Sequence, residues 1–187
     1  QVKATPSASG MPQVWLLGSS DYSAQLAASF GLPYVFANHF AGNGLDRAMD
    51  LYRAQYRPSE EHPEPRSFVT VNAVAADSAA EAEERALPQL RMFAKLRTNR
   101  PLGPMDTVEQ AIAANATEND ATAEAFKTQA RAGWFVGTGE EVRSELAAFA
   151  ARHGVDEVML APVAGAYDAE PLDAAPGRVR TLELLAA

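Results

Sequence analysis

The chain has 187 residues, with 16 Lys and Arg against 24 Asp and Glu, giving a formal charge of −8. That acidity argues against nucleic-acid binding. With no cysteine there is no disulfide, iron–sulfur cluster, thiolate zinc site or cysteine nucleophile. Hydrophobic residues make up 47%, enough for the core of one full-sized domain, and no apolar run approaches the roughly 18 residues of a membrane span.

Residues 1–12 (QVKATPSASGMP) are small, polar and Pro-bearing, and predict a linker or loop before a single α/β domain over 13–187. They lack the apolar h-region of a secretory signal, and a start at Gln rather than Met is what an N-terminal truncation would leave. VWLLGS, from Val14, is a continuous apolar run suited to a strand buried on both faces of a parallel sheet; Gly18-Ser19-Ser20 ends it. Residues 22–30 carry Ala24, Leu26, Ala27, Ala28 and Phe30 and predict a helix stopped by Gly31. YVFAN (34–38) reads as a second strand. Residues 45–56 set Leu45, Ala48, Met49, Tyr52 and Tyr56 at helical spacing, and PSEEHPEPR (58–66) is a charged, Pro-rich loop.

SFVTVNAVAA (67–76) is a third strand. Asp77-Ser78 caps an Ala- and Glu-rich helix running to about Arg97, which Pro88 should kink. Residues 99–131 are loop-like and then helical in propensity with a weak apolar face, and predict a mobile insertion. WFVGT (134–138) is a short strand. A helix opens at Thr138-Gly139-Glu140-Glu141, with Val142, Leu146, Phe149 and Ala150 on one face, and ends at Gly154. EVMLAP (157–162) is the last strand, and 173–186 make a closing helix. Strands alternating with helices predict right-handed βαβ units and a parallel sheet. Two architectures fit: an open doubly wound sheet, and part of a (β/α)₈ barrel, whose complete form takes about 250 residues.

In both, ligands meet the carboxyl ends of the strands. Gly18-Ser19-Ser20-Asp21-Tyr22-Ser23 follows the first strand at a helix start, where unpaired N–H groups and the helix dipole attract an anion such as phosphate. A Ser N-cap in a tight turn explains the same residues without a ligand. Asn38-His39-Phe40 lies past the second strand; the His can bind a ligand ring, exchange protons, or cap the turn. His62 and His153 read as surface residues. Gly137-Thr138-Gly139 reads as ordinary capping, since Glu140 and Glu141 would compete with an anion. Scattered His without spaced carboxylates give no metal signature.

The wording of PQVWLLGSSDYSAQLAASFGLPYVFANHFAGNGLDRAMDLYRAQYRPSE, followed by VTVNAVAADSAAEAEERA, resembles the bacterial luciferase-like flavin monooxygenase family, and WFVGTGEEVRSELAAFAARHGVDEVMLAP resembles its strand and helix before the final barrel strand. The resemblance covers about residues 12–186. It implies the C-terminal half, strands five to eight, of a TIM (β/α)₈ barrel that binds FMN or, in some branches, F420. The flavin-phosphate turn of the family maps to Gly18, Ser19, Ser20 and Ser23, with Tyr22 a weaker match. The segment bordering the isoalloxazine maps to Asn38 and His39, and residues 99–131 to a mobile active-site loop.

Nothing here matches the family's first four strands. An isolated half would expose sheet edges and barrel-facing side chains, so pairing with a second copy or another chain is expected. The resemblance implies a cytoplasmic, dimeric bacterial enzyme that takes reduced FMN from a separate flavin reductase and uses O₂ to oxidise an uncharged or weakly polar small organic substrate. The alternatives are a non-catalytic flavin-binding or assembly protein and an F420-dependent oxidoreductase. No catalytic residue is assigned.

Overall fold

A computed structural model describes residues 9, 10, 12–41 and 43–186. The expected linker at 1–12 lies largely outside the described residues. Its described part is Ser9 and Gly10, an exposed bend, and the exposed Pro12. In chain order the elements are β1 (Leu16–Gly18), α1 (Asp21–Phe30), β2 (Tyr34–Phe36), α2 (Asn38–Ala41), α3 (Leu45–Gln55), β3 (Ser67–Ala76) and α4 (Ala79–Arg97). There follow α5 (Val108–Thr117), α6 (Ala121–Ala132), β4 (Phe135–Thr138), α7 (Gly139–His153), β5 (Val158–Pro162) and α8 (Pro176–Ala186). The chain divides into two compact units: the described residues up to Phe36 with Gly44–Ser67, and Ala37–Asn43 with the described residues from Phe68. Among the described residues no helix is long and apolar enough to cross a membrane.

In the first unit β1 and β2 pair in parallel, Leu16 beside Tyr34 and Gly18 beside Phe36. Ser20 and Ser23 form a capping box that starts α1, and Gly31 ends it at φ 61°, where a Cβ would also meet the Arg57 carbonyl at 2.4 Å. Ala24, Ala27 and Ala28 are fully buried and let α3 pack closely through Leu45, Ala48, Met49 and Tyr52. The Tyr52 hydroxyl, held well above its usual pKa by burial, hydrogen-bonds the Leu32 and Arg66 carbonyls at 3.0 Å each. β1 departs from the two-sided burial expected of VWLLGS: Val14 is 49% and Leu17 57% exposed. A strand is buried twice only where both faces are covered. In this unit α1 packs on β1, while Leu17 projects from the open face.

In the second unit β3 is flanked in parallel by β4 and β5, with Ala73 paired to both Phe135 and Pro162. All but the first residue of β3 are buried, as its apolar run predicts. The Ser78 side chain accepts from Glu81 N to start α4, which runs unbroken through Pro88 to Arg97. Val74, Ala82, Ala86, Leu90, Ala130, Trp134 and Ala164 form the core between α4, α6 and the sheet.

Residues 99–131 hold two helices, α5 and α6, packed on α4. Their weak apolar faces are supplemented by charge: Arg91 pairs with Glu118 at 2.8 Å, and Glu118 also meets Arg100 at 3.1 Å and Lys127 at 3.3 Å. The buried Thr181 hydroxyl of α8 accepts from Ala75 N at 3.2 Å, which fixes α8 to β3.

Candidate functional site

In the second unit, Thr70 and Asn72 interrupt the apolar run of β3. Lying two residues apart on a strand, they project from one face. The Thr70 hydroxyl hydrogen-bonds His39 Nδ1, and Asn72 Nδ2 donates to the His39 carbonyl at 3.0 Å. Ring and backbone of His39 are thus both tied to β3, and the predicted strand YVFAN stops at Phe36 because Asn38 and His39 belong instead to the single turn of α2. Burial pushes the His39 pKa below its usual value, so the imidazole is neutral at pH 7 and Nε2 is the ring nitrogen left for a ligand. The Phe40 ring packs on it at 4.0 Å between centroids.

Asn38, His39 and Phe40 line a cleft of about 270 Å³ that also takes in Phe93, Arg97, Phe126, Gln129 and Trp134. Ligand pockets run from about 300 Å³ upward, so the cleft accommodates one small ring system rather than a nucleotide. Its aromatic walls suit a flat molecule, and its amides and imidazole offer hydrogen bonds at the rim. Arg97 Nη2 donates to the Phe40 carbonyl at 2.9 Å, and its guanidinium carbon sits 4.9 Å from the Phe93 centroid.

In the first unit, the Gly18–Ser23 turn is shaped largely by its own contacts. Ser23 Oγ donates to the Ser20 carbonyl at 2.7 Å, receives Ser20 N–H at 3.3 Å, and lies 3.1 Å from the Tyr34 hydroxyl. Burial raises the Tyr34 pKa against the lowering effect of its contact with Ser23, so that hydroxyl stays protonated and donates to the Gly18 carbonyl at 3.3 Å. Gly18 accommodates Ser23: a Cβ there would fall 2.3 Å from its side chain. Ser23 is therefore turned inward, while Ser19, Ser20 and Tyr22 are exposed at the start of α1. An anion at this turn would meet the Ser19 and Ser20 hydroxyls and the helix N-terminus. Asp21 would oppose it, although Arg47 pairs with that carboxylate at 2.7 Å. Arg47 has no local signal in the sequence, because it reaches the turn from α3.

At Gly137-Thr138-Gly139 capping is what forms. Glu141 accepts from Thr138 N at 2.8 Å and from Thr138 Oγ1 at 2.9 Å, and these bonds hold its carboxyl below the usual range. His62 is half-buried, and its carbonyl receives the Tyr56 hydroxyl at 2.8 Å. His153 corrects the surface expectation: it is 8% exposed, because the last turn of α7 folds its ring against Phe149 at 4.4 Å. Thr70, Asn72, Arg97 and Trp134 escape a sequence reading of the site. Two polar residues at alternate positions of a buried strand were the available signal for the first pair.

A sequence profile of luciferase-like monooxygenases matches residues 1–157. A luciferase-like monooxygenase of Escherichia coli K12 is 50% identical over 84 residues, 45% of this chain and 25% of that protein. The uncharacterized protein YvbT of Bacillus subtilis 168 is 32% identical over 163 residues, 86% of this chain and 46% of its own length. The chain therefore spans at most about half the length of these relatives. Among solved structures, apo-MsnO8 is similar with a TM-score of 0.80 and 27% identity, over 97% of this chain and 52% of that one. The oxygenating constituent of 3,6-diketocamphane monooxygenase from Pseudomonas putida, solved with FMN, shares the fold at a TM-score of 0.54 and 17% identity, over 93% of this chain and 47% of that one. The parallel α/β fold is that of about half of such a barrel.

Proposed function

The chain belongs to the luciferase-like monooxygenase family, and we propose that it binds FMN and serves a reaction in which reduced FMN and O₂ oxidise a small organic substrate. The observation that carries this reading is His39, neutral and tied to β3 through Thr70 and Asn72 in the wall of an aromatic cleft. Bound reduced FMN would supply the electrons and the oxygen chemistry. The chain's own groups would hold and shield it. Asn38 and His39 are assigned to border the isoalloxazine from the rim of the cleft, whose volume of about 270 Å³ leaves its aromatic walls to a smaller ring. Ser19, Ser20 and the Gly18 backbone, with Tyr22 beside them, are assigned the phosphate, and Ser23 orders that turn from within. A flavin reductase is the proposed source of reduced FMN, and a bacterial, cytoplasmic homodimer the proposed setting; light scattering on the purified protein tests the dimer.

Equilibrium titration with FMN and F420 side by side, followed by oxygen uptake with NADH and a reductase, tests the reading. FMN should bind in preference to F420, and Ser19→Ala with Ser20→Ala should weaken it severalfold. Substrate should raise oxygen uptake above the reductase's own leak. Preference for F420 would move the protein to the hydride-transferring branch. FMN retained without substrate-dependent uptake would make it a binding protein, and no binding of either cofactor would end the flavin reading.

A further inference from the structure

Arg97, the last residue of α4, stands in the wall of the cleft with a carbonyl and a ring as its partners: Nη2 donates to Phe40 O at 2.9 Å, and Phe93 lies 4.9 Å from its guanidinium carbon. Among the described residues no carboxylate lines the cleft, and none pairs with Arg97. Elsewhere in this chain of net charge −8, Arg85, Arg91, Arg100 and Arg131 each sit against an acidic side chain, while Arg66 on the Trp15 ring and Arg143 on the Leu184 carbonyl resemble Arg97. Arg97 is exposed, so water solvates its charge in the free protein, and it is open to an anion brought by a ligand that lies among these aromatic rings. Its fork matches a carboxylate bidentately, and Phe93, Phe126 and Trp134 offer faces and edges to an aromatic body. The volume of about 270 Å³ holds one or two rings.

We propose that this cleft binds a small aromatic carboxylate, with Arg97 anchoring the carboxylate and the surrounding rings holding the aromatic body. The assignment rests on the flavin reading only in naming that ligand as the oxidised substrate, and it replaces the uncharged substrate expected from the sequence. The bond from Arg97 to Phe40 O gives this arginine a second, structural role in joining α4 to α2, so the test must separate charge recognition from packing.

Calorimetric titration of the full protein, without flavin, with benzoate, benzamide and inorganic phosphate makes that separation. Benzoate should bind about tenfold or more tighter than its neutral amide, the weight of a charge-assisted hydrogen bond. Arg97→Gln should remove that preference while leaving benzamide binding and the near-ultraviolet circular dichroism unchanged. Arg97→Lys should keep part of the preference, as a point charge without the fork. Equal binding of benzoate and benzamide overturns the proposal, as does full benzoate affinity in Arg97→Gln. Phosphate displacing benzoate at equal concentration would reveal a general anion site and also overturn it. A parallel FMN titration keeps the two readings apart: benzoate recognition without FMN binding sinks the flavin reading alone, and the reverse result sinks this one alone.

Discussion

Replacing Gly18 by Ala asks whether the glycine closing β1 serves the turn or a ligand. Its φ is not in the left-handed region, so Ala meets no backbone penalty and the perturbation is purely one of contact. The added Cβ would lie 2.3 Å from both Cβ and Oγ of Ser23, deep inside van der Waals separation. Ser23 cannot swing aside cheaply, because its hydroxyl donates to the Ser20 carbonyl at 2.7 Å and touches the Tyr34 hydroxyl at 3.1 Å. Overpacking costs about 1–3 kcal/mol, and loss of a helix cap about 0.5–2 kcal/mol. Gly18→Ala should therefore destabilise by about 2–3 kcal/mol, read as a lowered urea midpoint at constant m-value. Ser23→Ala leaves a Cβ in the way and gives no relief. Ser23→Gly removes both clashing atoms, since the Ser23 Cα stands at 3.9 Å, and in that background Gly18→Ala should cost less than about 0.5 kcal/mol beyond the background's own loss. Equal costs of Gly18→Ala in the two backgrounds would refute the steric account and return the glycine to a ligand-facing role.

Three further outcomes follow from particular contacts. Burial holds the His39 pKa below its usual value, so the unfolded chain takes up that proton first. The contribution is full above the unfolded value of about 6.5 and is lost as pH falls through it towards the folded value. His39→Gln should flatten the stability profile between about pH 7 and 5, and an NMR midpoint for His39 above the free-histidine value would contradict this. Thr181→Val keeps the shape of a fully buried side chain but strands the Ala75 N–H that Thr181 now receives. It should cost about 1–3 kcal/mol in denaturation, with Thr181→Ser much milder, and equal losses would count against the hydrogen bond. At Glu118, burial pushes the pKa up but Lys127, Arg91 and Arg100 outweigh it and hold the carboxyl below its usual range, so this stability is lost only as pH falls through that acidic range. Glu118→Gln takes one of two carboxylates from each of two largely buried cations, leaving Arg91 with Asp106 at 3.5 Å and Lys127 with Glu124. A loss of about 1.5–3 kcal/mol, the weight of a charge-assisted hydrogen bond, is expected at neutral pH; one below about 0.5 kcal/mol would show the network to be ornamental.

Elements with local signals are legible in the sequence. The apolar run of β3 fits its observed span, Ser67–Ala76, and the caps Ser20, Ser78 and Thr138 and the terminators Gly31 and Gly154 act where residue type places them. What escapes reading is settled by distant partners. YVFAN looks extended throughout, yet Asn38 and His39 turn into α2, and His39 is held by side chains 31 and 33 residues further along. Residues 99–131 carry too little apolar periodicity to show two docked helices, because part of the docking is ionic and its partner Arg91 lies on α4. His153 precedes a terminating glycine, a position that usually faces water, and only the fold supplies the Phe149 ring that covers it.

The cleft is built outward from β3, and that order explains which of its residues a sequence reveals. A buried strand tolerates Thr70 and Asn72 only if their polar atoms find partners, since an unmet buried group costs about 1–3 kcal/mol. The partner they share is His39, so the burial of the strand and the orientation of the imidazole are one requirement met by the same bonds. The second wall is fixed separately: Arg97 ends α4, reaches the Phe40 carbonyl and lies beside the Phe93 ring. Neither arrangement needs a ligand to form. A neutral imidazole and a guanidinium that meets no carboxylate among the described residues therefore stand in place before anything binds, and pre-organised polar groups beside aromatic walls are what a site needs to orient a small flat molecule.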